Sequence, residues 1–274
     1  MKKITALLLA LLMLAGVLAS CGKQNDTNKT DKLSIVTTIF PEYDWVREIL
    51  GDKADSAEIT MLLDNGVDLH SYQPTADDLI KLSDCDLFVY VGGESDGWVD
   101  DALKNAPNKD RKVIRLLDVL GDSAKAEETV EGMQEEEHDH EEEEHDHEEE
   151  GHGHEEEAEY DEHIWTSPVN AMKITQVIAD TLEEMDPADA DTFTANAEDY
   201  IGKLKNLDRE FREVVTGADL DLIVMADKFP LRYFAATYGL RYRAAFSGCS
   251  SDTEPSAKTI AYLIDKVREE QIPA

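Results

Sequence analysis

Between residues 33 and 117 the chain alternates short apolar runs with amphipathic ones, and that alternation leaves few folds open. Residues 33–39 (LSIVTTI), 57–63 (AEITMLL), 86–91 (DLFVYV) and 112–117 (KVIRLL) read as strands. Residues 41–50 (PEYDWVREIL), 74–84 (PTADDLIKLSD) and 97–106 (GWVDDALKNA) read as helices. Two of these open on Pro, whose missing N–H costs nothing in a first turn. Strands that are apolar on both faces need cover on both faces. The pattern therefore predicts an α/β fold with a parallel sheet between helical layers.

Residues 169–216 read as a helical connector. Phe193, Ala197, Tyr200, Leu204, Leu207, Phe211 and Val214 alternate spacings of four and three, which predicts one apolar stripe along a long helix. About 26 residues at about 1.5 Å each make a rod of roughly 39 Å. A second α/β pattern follows, with strands at 221–226 and 241–246 and helices at 230–239 and 255–271. The chain stops at IPA where a third strand would be expected, so this second lobe reads as truncated. The expected layout is an N-terminal α/β lobe over 33–168, the connector, and a partial C-terminal α/β lobe over 217–274.

The first 21 residues have a basic start, an apolar core too short to span a bilayer comfortably, and small residues before Cys21. That ending resembles a bacterial lipobox, which implies a lipoprotein signal peptide with Cys21 as the lipidation site. Residues 22–32 are polar and read as a flexible tether. The expected location is the cell surface or periplasm, held to the membrane by a lipid anchor. Cys85 and Cys249 permit a disulfide, although a buried core thiol suits Cys85. Neither has CxxC spacing, which argues against a cysteine metal site.

Acids outnumber bases 61 to 26, for a formal charge of −35, which argues against a nucleic-acid partner and favours attraction of cations. Residues 127–162 hold 21 of those acids and no Lys or Arg, so much of the charge is local. Within a loop assigned to 124–160 lies EEEHDHEEEEHDHEEEGHGHEEE, which has no apolar side chain and is expected to stay disordered. His138, His140, His145, His147, His152 and His154 sit there in closely spaced pairs suited to weak, auxiliary metal capture. The HExxH protease spacing is absent. A plain solubilising run is the rival reading.

Two histidines lie elsewhere. His70, in NGVDLHSYQPTADD, follows the second strand at the end where open α/β sheets bind ligands. His163, in DEHIWTSP, precedes the helical connector. The stretch GVDLHSYQPTADDLIKLSDCDLFVYVGGE is similar to the first metal-ligand motif of the cluster 9 (cluster A-I) substrate-binding lipoproteins of metal ABC transporters. DEHIWTSP looks like their second motif, and the acidic His-rich loop is typical of the zinc-binding branch. The resemblance implies a two-lobed, periplasmic-binding-protein-like fold, with parallel sheets in each lobe joined by one long helix. It implies His70 and His163 as ligands of one interlobe metal, a monomer, and an ABC permease with its ATPase as partners.

The chain departs from that pattern at one point. The family usually has a third His before the helix that reads PLRYFAATYGL here, and Lys228 stands at that position. Asp227 is the candidate third ligand, and Ser247, Asp252 and Glu254 are polar cleft candidates. Zinc is the expected ion, since imidazoles favour borderline metals, with manganese or iron as the alternative. A surface adhesin stabilised by metal is the reading from a different class. No motif places a catalytic base beside an open metal position, so no enzyme is expected.

Overall fold

In a computed structural model, residues 32–64, 66–134, 159–252 and 254–273 are described. Cys21, the leader and the six clustered histidines lie outside them. Four strands, β1 (Ser34–Thr37), β2 (Glu58–Met61), β3 (Leu87–Tyr90) and β4 (Lys112–Arg115), form one parallel sheet in the order β2-β1-β3-β4. Its side chains alternate between two cores. Ile35, Leu87 and Val89 face one side, against helices α1 (Phe40–Leu50), α5 (Pro168–Met185) and α6 (Ala190–Gly217). Val36, Phe88 and Tyr90 face the other, under α2 (Ala76–Asp84) and α3 (Val99–Asn105). This double cover is the reason the strands read as continuous apolar runs.

The helices begin where their caps dictate. Thr75 accepts from the Asp78 N–H at 3.2 Å, and Asp78 accepts from the Thr75 N–H at 3.0 Å, a reciprocal capping box. At α1 the Glu42 carboxylate takes the Thr38 and Ile39 N–H groups at 2.8 and 3.2 Å. Ser167 and Pro168 open α5.

A second, two-stranded parallel sheet pairs β5 (Leu222–Lys228) with β6 (Arg241–Phe246). Helix α7 (Arg232–Tyr238) follows β5, and α8 (Ala257–Glu269) packs through Leu263 beneath Ala245 and Phe246. Among the described residues no helix is long and apolar enough to cross a membrane.

Three expectations need correction. The run at 112–117 splits, ending as a strand at Arg115 and continuing as α4 (Leu116–Leu120), whose Leu116, Leu117 and Leu120 are buried. A short apolar run carries no period that separates the two states. The loop assigned to 124–160 is ordered at both ends. Ala126 bridges Tyr160 in antiparallel fashion, and the Gln134 N–H bonds Ala245 O at 2.9 Å. Met133 is buried against Phe229 and Tyr242, so apolar side chains anchor this flank to the second sheet. Finally, the stripe on α6 is buried at Phe193 and Ala197 but not at its far end, where Leu207 and Val214 are exposed.

Candidate metal centre

His70 sits in a 3-10 turn, Leu69–Ser71, beyond the carboxyl end of β2. Asp68 opens the turn by accepting the His70 N–H at 2.9 Å, and buried Leu69 and Tyr72 pin it from either side. His163 caps a second 3-10 turn, Ile164–Thr166, anchored by buried Ile164. Its N–H donates to Asp161 Oδ1 at 2.8 Å, and Thr166 Oγ1 donates to its carbonyl at 2.8 Å. The Trp165 ring lies 5.3 Å from its imidazole, centroid to centroid. Although 93 residues apart, the two imidazoles meet, with Nε2 to Nε2 at 3.3 Å.

A buried carboxylate stands behind each ring. Glu162 Oε2 is 3.4 Å from His70 Nδ1, and Asp161 Oδ1 is 3.4 Å from His163 Nδ1. Ser95 Oγ adds a 2.9 Å contact to His70 Nδ1. Asp161 and Glu162 are 0% and 1% exposed, and each has one oxygen without a hydrogen-bond partner. A carboxylate hydrogen-bonded in that position favours the Nδ1–H tautomer, although at 3.4 Å from Asp161 the His163 Nδ1 makes no hydrogen bond. The two Nε2 atoms face each other. Two acceptors 3.3 Å apart repel unless a proton or a cation lies between them. Two nitrogens held tetrahedrally at about 2.05 Å from one zinc ion would stand about 3.3 Å apart.

Burial alone would lower the His70 pKa, and Lys228 acts in the same direction. The Glu162 carboxylate, with Asp68, outweighs both and raises it.

Glycines allow the close approach of these loops. At Gly93, whose φ is +86°, a side chain would collide with Glu162; the Ser95 N–H nearby donates to Glu162 Oε1 at 2.9 Å. At Gly248 an added Cβ would lie 2.9 Å from Asp161 Oδ2 and 3.1 Å from His163 Nδ1. Across the site, Tyr233 on α7 donates its hydroxyl hydrogen to Asp161 O at 3.0 Å and accepts the Lys125 N–H at 3.0 Å.

The other candidates fall differently. Asp227 is exposed, and its Oδ1 accepts the adjacent Lys228 N–H at 2.8 Å. It is not among the residues whose donor atoms converge on the histidines. Asp252 instead accepts from Gln134 Nε2 at 3.0 Å, tying down the ordered flank of the acidic loop. Among the described residues, the one that does converge is Cys249: a ligand atom of His70, of His163 and of Cys249 all lie within 4.8 Å of one another. This convergence stands against the expectation that the lack of CxxC spacing argues against a cysteine metal site. Cys85 and Cys249 are both free thiols, and Cys85 lies in the core with its Sγ donating to Leu82 O at 3.2 Å. Cys249 follows β6 in a polar loop, where the sheet edge delivers it to the site. The available signal was positional, since both His70 and Cys249 stand just beyond the carboxyl end of a parallel strand. Burial and the Glu127 carboxylate push the Cys249 thiol well above its ordinary range, so it is protonated in the metal-free chain. A cavity of about 460 Å³ opens beside it, lined by Glu94, Arg115, Glu127 and Glu162 among others.

Asp96 lies deeper. Burial pushes its carboxyl up to about 7, against the Gly92 N–H that it accepts at 2.8 Å and with the Glu162 charge adding to the rise. A folded-state pKa above the unfolded value means that the stabilising contribution is complete below about pH 4 and is lost as pH rises through about 7. In chelator-treated protein, the melting temperature of Asp96→Asn relative to wild type should therefore climb across that window and level off above it. A pH-independent difference in thermal unfolding would contradict this assignment.

A family model described as zinc-uptake complex component A, periplasmic (ZnuA), matches residues 35–274. The zinc-binding lipoprotein AdcA of Streptococcus pneumoniae R6 is 37% identical over 272 residues, covering 99% of this chain and 49% of that protein. The high-affinity zinc uptake system protein ZnuA of Bacillus subtilis is 33% identical over 261 residues, covering 93% and 75%. The chain thus spans about half the length of the streptococcal relative. The crystal structure of the Zn(II)-bound ZnuA-like domain of S. pneumoniae AdcA matches with a TM-score of 0.63 at 32% identity, over 88% of this chain and 76% of that one.

Proposed function

The chain belongs to the zinc-uptake complex component A (ZnuA) family, and from that premise we propose that it is an extracytoplasmic zinc receptor. It captures Zn²⁺ at His70 and His163 and hands the ion to an ABC permease driven by an ATPase. The observation that carries this reading is the 3.3 Å approach of the two Nε2 atoms, each backed by a buried carboxylate. Capture is a matter of charge and solvation. The ion supplies two positive charges to a pocket that already holds two buried carboxylates without a full complement of donors. The carboxylates do not need to touch it, because each acts through the ring in front of it. Cys21 serves as the lipid anchor, and the clustered histidines collect zinc weakly.

The test is native mass spectrometry of the purified chain, with and without residues 134–157, under competing Zn²⁺ and Mn²⁺. The expected result is one tightly held zinc in both proteins and several further, weaker zinc equivalents only in the longer one. Preferential loading with manganese would overturn the zinc reading. The same weak equivalents after deletion would overturn the role of the clustered histidines.

A further inference from the structure

We propose that Cys249 is the third ligand of the captured ion and the residue that makes the site selective for thiophilic metals. The proposal rests on the reading of His70 and His163 as ligands of one ion. Its geometry is independent of family pattern, since the position where the family carries histidine holds Lys228.

Three features separate Cys249 from an incidental thiol. Its Sγ and a nitrogen of each histidine lie within 4.8 Å of one another, a spacing compatible with one shared ion. A tetrahedral N₂S arrangement, with Zn–N of about 2.05 Å and Zn–S of about 2.3 Å, calls for N···S separations of about 3.6 Å. Second, the thiol lies among polar groups, with the Cys249 N–H donating to Glu127 Oε1 at 3.2 Å. Cys85, by contrast, is 0% exposed among Leu82, Phe88 and Val99. Third, Gly248 leaves room for the preceding backbone to lie against Asp161 and His163, which is what brings the next residue to the histidines.

Chemistry follows from the donor set. Coordination replaces the thiol proton with the metal, and the proton leaves to solvent through the open cavity beside Glu127. Two imidazoles and a thiolate suit zinc and still softer ions such as Cd²⁺, and disfavour Mn²⁺, which prefers oxygen donors. The second lobe contributes this ligand from the end of β6, so binding draws the two sheets onto one ion.

Co²⁺ and Cd²⁺ are the probes, with the full chain and with Cys249→Ser and Cys85→Ser. Wild type and Cys85→Ser should show near-ultraviolet thiolate-to-cobalt charge-transfer absorption, and Cys249→Ser should lack it while still binding Co²⁺. By chelator competition, Cys249→Ser should lose on the order of 100-fold or more in zinc affinity and more still in Cd²⁺ affinity, with little change for Mn²⁺. A wild-type cobalt complex without that absorption, or one unchanged in Cys249→Ser, overturns the proposal and leaves the zinc receptor standing. A wild-type chain that binds neither Co²⁺ nor Zn²⁺ overturns both.

Discussion

Replacing either His70 or His163 by Ala should abolish tight zinc binding, with a loss on the order of 100-fold or more in affinity. Removing groups that merely orient a ligand typically costs about 10–100-fold, and removing the ligand itself costs more. The expected cause is loss of one donor from a shared ion, which makes a further prediction about the double variant. Two ligands of one ion act as a unit, so His70→Ala with His163→Ala should be scarcely weaker than either alone. Independent sites would instead show additive losses in the free energy of binding. The variants should remain folded, because both residues sit in short turns held by other side chains: Leu69 and Tyr72 at one, Ile164 at the other. Chelator competition gives the affinity, and a thermal melt of the metal-free proteins gives the control. Unchanged zinc affinity in either single variant would remove that histidine from the site.

Much of the first lobe is legible in the sequence because its physics is local. Strands such as 86–91 are apolar on both faces, and Pro and Thr mark the helix entries, so the layered α/β order follows from pattern alone. The histidine pair is a different case. Each residue is only a polar loop position, and the link between His70 and His163 came from motif resemblance, not from spacing. Cys249 was missed because what places it is tertiary: a parallel strand ending, a small residue, and a loop that crosses to the other sheet. The same holds for Asp161 and Glu162, which sit in the quoted motif DEHIWTSP but reveal their task only when seen behind the imidazoles. Asp227 was chosen by adjacency to Lys228, and strand geometry turned it outward. At the acidic loop the overlooked signal was Val130 and Met133, two apolar residues in a polar stretch. Both pack on the second sheet.

The α6 stripe separates a pattern in sequence from burial in the fold, and it supports the largest stability prediction. Phe193, Ala197, Leu204, Phe211 and Val214 lie on one face by spacing, yet they meet different partners. Phe193 is 1% exposed and belongs to the main core, where α6 packs on α1 and α5. Val214 is 70% exposed. Between them, Phe211 stacks edge-on against Phe234 of α7, with ring centroids 5.0 Å apart, so the helix changes partners along its length. Phe193→Ala should leave a cavity beneath three packed helices and cost about 3–5 kcal/mol. For a chain of this size that corresponds to a fall of roughly 10 °C in melting temperature. Val214→Ala removes atoms that already face water, and should shift stability by less than about 0.5 kcal/mol. Urea unfolding of the metal-free proteins measures both. The stripe would have to be buried along its whole length if the two substitutions cost the same. A large loss at Phe193 alone fixes the first half of α6 as part of the N-terminal core, with its far end reaching out to carry the second sheet.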